Sequence, residues 1–206
     1  MNRRAVQAAA IVAVAAFGIW LLFFALPGRY RNGASGGSPA APAGGPPAAP
    51  ERKITATLYY IAEDGMSLVG VQREVPFGEP VAEQARRIVE AQLGAAPAPL
   101  AAAVPDGTTL RGVYVTERDC GKEGATCQRD AFVDLSAEAR DRHTGGALDE
   151  LFTIYAIVDA VTVNLPAISR VQILVDGKEV DTLAGHVDLR HPLEKSLKWV
   201  KTEKED

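Results

Sequence analysis

The sequence predicts an α/β (α+β) domain, two helices packed on a small β-sheet, carried behind one N-terminal membrane helix. Three observations predict it. A charge-free run, Ala8 to Leu26, leads into a Gly/Ala/Pro-rich stretch ending at Pro50, and only beyond it are charged and apolar residues mixed as in a folded domain. Helix-period and strand-period stretches then alternate. The clearest pair is a helical pattern from Gly146, with Leu148, Leu151, Phe152, Tyr155, Val158, Val161, Thr162 and Leu165 three or four positions apart, followed by the strand Val171-Gln-Ile-Leu-Val. That stripe needs a cover, and the strand supplies it.

Of the 206 residues, about 155 lie beyond the low-complexity stretch, room for one ordinary domain from residue 51 to residue 200 and no second. Arg3, Arg4, Arg29 and Arg31 precede residue 50 with no acidic residue among them. All 26 Asp and Glu therefore face the remaining 18 Lys and Arg, leaving the domain eight charges negative. An acidic domain without a basic run repels phosphate backbones, which argues against nucleic acid as a partner.

Residues 1–7 form a short, basic N-terminus. Residues 8–26, at 1.5 Å rise each, span about 28 Å, close to the roughly 30 Å hydrocarbon core of a bilayer. A cleavable signal peptide is the alternative, but the run ends on Trp20-Leu-Leu-Phe-Phe-Ala-Leu-Pro, bulky where cleavage wants small residues. A short tail before a single span places residues 1–7 in the cytoplasm and the domain outside, although arginines flank both ends. Residues 27–50 cannot bury enough apolar surface to offset ordering and read as a disordered linker.

In the domain, Ile54–Ile61 is β-branched and aromatic, hence a strand, turned by Glu63-Asp64-Gly65 into a second strand, Leu68–Val75. Pro76-Phe-Gly-Glu-Pro stops extended structure and opens a helix whose buried stripe is Val81, Ala85, Ile88, Val89 and Leu93, ended by Gly94. Glu83, Arg86, Arg87 and Glu90 form its solvated face with intrahelical pairs. Leu110–Thr116 and Ala131–Ser136 make a hairpin with a long tip, and Ser136 to Gly146 is a connection or one loose turn. Asp149 and Glu150 suit the first turn of the long helix. Asp159 stands at the edge of the apolar stripe, its carboxylate reaching water. Leu183–Leu193 closes the fold, Trp199 packs a last turn, and residues 201–206 form a fraying tail.

The search for chemistry returns little. No nucleophile elbow, zinc-protease helix, phosphate loop, dinucleotide glycine triplet or Cys-x-x-Cys pair is present. Cys120 and Cys127, with six residues between them in the hairpin tip, suit a structural disulfide in an oxidising compartment; free thiols are the alternative. Asp134, Ser136 and His143 form a weak hydrolytic trio lacking any oxyanion signature, and Asp188 between His186 and His191 a weak metal set. The reading is no catalytic residues, no metal and no cofactor.

Taken in order, Leu58-Tyr-Tyr, Leu68-Val-Gly-Val-Gln-Arg-Glu-Val, Gln92-Leu-Gly-Ala, Val104-Pro-Asp-Gly-Thr-Thr-Leu-Arg-Gly-Val, Phe132-Val-Asp-Leu-Ser, Leu151-Phe-Thr-Ile-Tyr-Ala-Ile-Val and Val171-Gln-Ile-Leu-Val-Asp-Gly-Lys through Leu183-Ala-Gly-His-Val-Asp-Leu resemble the GerMN domain family of sporulation and spore germination proteins. The resemblance covers about residues 54–193. It implies an extracytoplasmic α/β domain related to ring-building motifs, two helices on a small mixed sheet in the order helix, two strands, helix, strand, with no catalytic residues. The insertion from Arg118 to Asp130 and the single copy on a membrane helix depart from the family pattern.

Three functions are therefore carried forward. The first is a non-catalytic, single-pass protein of the cytoplasmic (inner) membrane, its domain facing the periplasm, assembling with itself or with an envelope protein. The second is a module binding cell-wall glycan or another envelope ligand, with Tyr59, Tyr60, Phe77, Tyr114 and Trp199 as stacking platforms. The third is a hydrolase using Asp134 or His143.

Overall fold

The structure is a computed structural model that describes residues 52–118, 120 and 127–201. The membrane segment and linker expected over residues 8–50 lie outside the described residues, as does the tail beyond residue 201. Among the described residues no helix is long and apolar enough to cross a membrane.

The domain opens with β1 (Lys53–Ile61) and β2 (Leu68–Pro76), an antiparallel hairpin that forms a two-stranded sheet of its own. Then follow α1 (Val81–Gln92), β3 (Leu110–Arg118), β4 (Gln128–Leu135), the short α2 (Glu138–Asp141), α3 (Ala147–Asn164) and β5 (Ile168–Val175). Two-residue strands β6 (Lys178–Glu179) and β7 (Leu193–Glu194) and a 3-10 turn at Leu197–Trp199 complete the described residues. In the main sheet β4 is antiparallel to β3 and parallel to β5, and β6 and β7 both pair with β5, so the sheet is mixed. A parallel pair needs a long crossover, and α3 provides it between β4 and β5. The expected order of helix, two strands, helix, strand is present; the first two strands do not join the main sheet.

Two apolar cores meet at α3. On one side Ile154, Ile157, Val158 and Val161 pack with Val133, Leu135, Val171 and Ile173 of the main sheet and with Ala85 and Val89 of α1. On the other, Phe152, Ala156 and Ala160 pack with Ala56, Leu58, Tyr60 and Leu68 of the hairpin and with Ile88. The expectation of one covered stripe was too narrow: α3 is covered on two sides, which is why its sequence is apolar nearly all round. α1 lies as expected, its outer face laced by Arg86–Glu90 at 3.0 Å and Arg87–Glu83 at 3.0 Å.

The hairpin is locked to the helices along one edge. Ala62 N–H donates to the Ser67 carbonyl at 2.9 Å and Phe77 N–H to the Arg52 carbonyl at 2.7 Å, so alternate residues of β1, Thr57, Tyr59 and Ile61, turn their backbone groups away from β2. Side-chain amides meet them there. Thr57 donates to Asn164 Oδ1 at 2.8 Å while Asn164 Nδ2 donates to the Thr57 carbonyl at 2.8 Å. Tyr59 donates to Gln92 Oε1 at 2.8 Å and accepts from Gln92 Nε2 at 2.6 Å. Ile61 exchanges both bonds with Ala101. The last residues of α1 and α3 thus stand in for a neighbouring strand.

Candidate functional site

A cleft of about 430 Å³ opens where the end of β1, the loop 102–106 and the start of α3 converge, walled by Ile61, Ala103 and Val104 and rimmed by Asp106, Arg142, His143 and Asp149. Its histidine is internally engaged. Gly145 N–H donates to His143 Nδ1 at 3.0 Å, so the ring proton sits on Nε2, 3.3 Å from Thr153 Oγ1, whose own hydrogen goes to the Ala103 carbonyl at 2.6 Å. Arg142 reaches the Asp106 carbonyl at 3.3 Å across Gly107, where a Cβ would stand 2.7 Å from its guanidinium.

The sequence-derived trio does not assemble. Asp134 receives Arg111 Nε at 3.2 Å and Gly177 N–H at 2.7 Å, so it secures the turn after β5, in which Asp176 and Gly177 both have positive φ. Ser136 Oγ accepts the Thr109 amide at 3.0 Å. Neither bonds to His143. The metal set is likewise dispersed: both Asp188 oxygens take Arg190, at 2.9 and 2.7 Å, which holds that carboxyl well below the usual range, while His186 Nδ1 faces Glu150 at 3.2 Å. Glu117, Cys120 and Cys127 are the one group of possible metal ligands close enough among the described residues, but the two sulfurs are bonded to each other, with Cα atoms 4.6 Å apart. Of the aromatic platforms, Tyr59 and Tyr60 are buried and cannot stack on a ligand, whereas Tyr114 is 60% and Trp199 37% exposed.

Two buried carboxylates on α3 escaped sequence reasoning. Glu150, fully buried, accepts the amides of Leu183, Ala184 and His186 at 2.7, 2.8 and 2.7 Å. Burial pushes its pKa up, but these donors and the His186 ring outweigh it and hold the carboxyl below its ordinary range. Asp159, expected at a wet edge, is also fully buried. One oxygen accepts Ser196 N–H at 2.9 Å and the other has no partner among the described residues; burial lifts its pKa to about 6 against the opposing pull of Ser196 and Lys195. The tight packing of α3 on both sides is what denies it water.

The model of the family described as Germane, sporulation and spore germination, matches residues 57–181. The chain belongs to the Germane family. No curated protein matches it. Among solved structures, the tandem GerMN domains of the sporulation protein GerM from Bacillus subtilis align with a TM-score of 0.51 at 20% identity, over 68% of this chain and 46% of that one. The first GerMN domain of that protein aligns at 0.46 and 19%, over 70% and 98%, and a Clostridium perfringens protein described as a lipoprotein at 0.46 and 23%, over 69% and 88%. Identities this low speak to the fold alone.

The Germane domain leaves one edge of its hairpin open. Because Thr57 and Tyr59 face outward on β1, their register partners Gln72 and Gly70 face outward on β2, and Glu74 follows in the same alternation. All three are exposed, and no described residue pairs with their backbone. The open run is bounded by Leu68, whose carbonyl takes Lys201 N–H at 2.7 Å, and by Pro76, which has no N–H to offer. The family description names a process and no reaction.

Proposed function

We propose that this chain is a membrane-anchored protein of the bacterial envelope whose Germane domain acts by contact, with a second copy or with another envelope protein, and catalyses nothing. The open edge at Gly70, Gln72 and Glu74 carries the reading. Unpaired strand edges are templates for pairing, and this fold closes the β1 edge with two side-chain amides while leaving β2 bare. Support for the anchor, and through it for the envelope setting, comes from the charge-free run over residues 8–26. The scattered Asp134, Ser136 and His143 speak against hydrolysis.

A photo-crosslinker placed at Gln72 of the full chain in its native membrane tests the proposal. The expected result is a discrete adduct with the chain itself or an envelope protein, missing when the probe sits at exposed Arg140. A chain that stays monomeric and forms no adduct at either position overturns it. The cleft beside Arg142 favours a second reading, a module for a small polar wall component; retention on isolated wall material, lost in Arg142→Ala, would support it.

A further inference from the structure

We propose that the C-terminal segment Leu193–Lys201 is a proton-sensitive strap, seated across the domain while Asp159 is neutral and loosened when Asp159 is ionised. The strap is fixed at three places. β7 pairs with Arg170 and Val171 of the main sheet, Ser196 N–H reaches Asp159 Oδ1 of α3 at 2.9 Å, and Val200 bridges Leu68 of the hairpin, where Lys201 N–H adds its bond at 2.7 Å. It therefore ties both sheets together over the central helix.

The middle fixing point is the sensitive one. A buried carboxylate needs several donors, and Glu150 on the same helix shows the satisfied case with three amides and an imidazole. Among the described residues Asp159 has one amide, and its second oxygen has no donor. Neutral, it keeps the Ser196 bond through its carbonyl oxygen and buries no charge. Ionised, it is stranded, and lifting the strap to admit water is the available relief.

The groups facing it do not change this. Tyr59 from β1 and Tyr155 one turn earlier on α3 have phenols pushed up by burial and by Asp159 itself, Tyr59 to about 12, so both stay neutral near pH 7. Lys195, on the strap, favours the ionised form, yet burial still outweighs it together with the Ser196 amide. With the strap open, Asp159 returns toward its ordinary value of 3.8, against about 6 when closed. Opening then rises tenfold per pH unit between those values and levels off above them, about 25-fold in all from pH 4.5 to 7.5. Loosening also frees the Leu68 carbonyl beside the open edge at Gly70; that consequence alone rests on the contact reading above.

Hydrogen exchange of the full chain, corrected for the intrinsic pH dependence of amide exchange and referenced to β4 and β5, tests the strap. Protection of residues 193–201 is expected to fall roughly 25-fold from pH 4.5 to 7.5 in the native chain and to stay level in Asp159→Asn. The same trend in Asp159→Asn, or no trend in the native chain, overturns the proposal. Should Asp159→Asn fail to fold, carbon NMR of the native Asp159 carboxyl decides: a midpoint near 6 supports the strap, and one below about 4.5 refutes it.

Discussion

Glu150 and Asp159 lie on one helix, equally hidden from water, and respond to acid in opposite directions. Glu150→Ala strands three amides of the 183–186 loop in the interior and should cost about 3–5 kcal/mol in urea denaturation; Glu150→Gln, which keeps an acceptor, should cost about 1–3. The folded pKa of Glu150 is depressed, so its contribution is present above the unfolded value of 4.5 and disappears as pH falls through the folded one. Asp130, held down chiefly by Arg170 at 2.6 Å, behaves alike around 3.8. Asp159 has a raised folded pKa, so the fold prefers its neutral form, and stability is gained as pH drops from above 6 toward 3.8. Stability, read from denaturation across pH 3–8, should therefore peak near pH 5, and Asp159→Asn should gain up to about 3 kcal/mol at pH 7.5. The sequence placed Glu150 in a first turn but could not show its role, because its partners are backbone amides more than thirty residues away. Asp159 was misread for a related reason: a stripe drawn on one helix does not reveal that a second sheet covers the other side.

At the scale of elements, the side-chain clamp on β1 makes a test of its own. Gln92→Ala removes both partners of buried Tyr59 and should cost about 2–4 kcal/mol, with a smaller loss for Asn164→Ala at half-buried Thr57. Hydrogen exchange should show the amides of Tyr59 and Thr57 losing protection in the respective variant. Gln92→Glu separates charge from shape, since it can still accept from Tyr59 but no longer donates to it. Nearly every strand and both principal helices were legible, because alternation and helical spacing are local. The independence of the hairpin was not, because pairing partners are set by tertiary placement and nothing in Ile54–Val75 encodes which sheet the strands join.

For the molecule as a whole, the Cys120–Cys127 bond closes a short loop at a hairpin tip, so its effect should be local. Reduction is expected to lower stability by no more than about 2–3 kcal/mol, with β3 and β4 still paired up to Arg118 and Gln128; thermal melts with and without reductant check this. The family match stops at residue 181, while the loop that satisfies Glu150 and the segment that crosses α3 both come later. A chain cut at that boundary would retain the shared sequence yet abandon a carboxylate in the interior and unfasten the hairpin from its partner sheet. The matched region and the unit of folding therefore have different ends, and any graft of this module onto another protein has to carry residues 182–201 along.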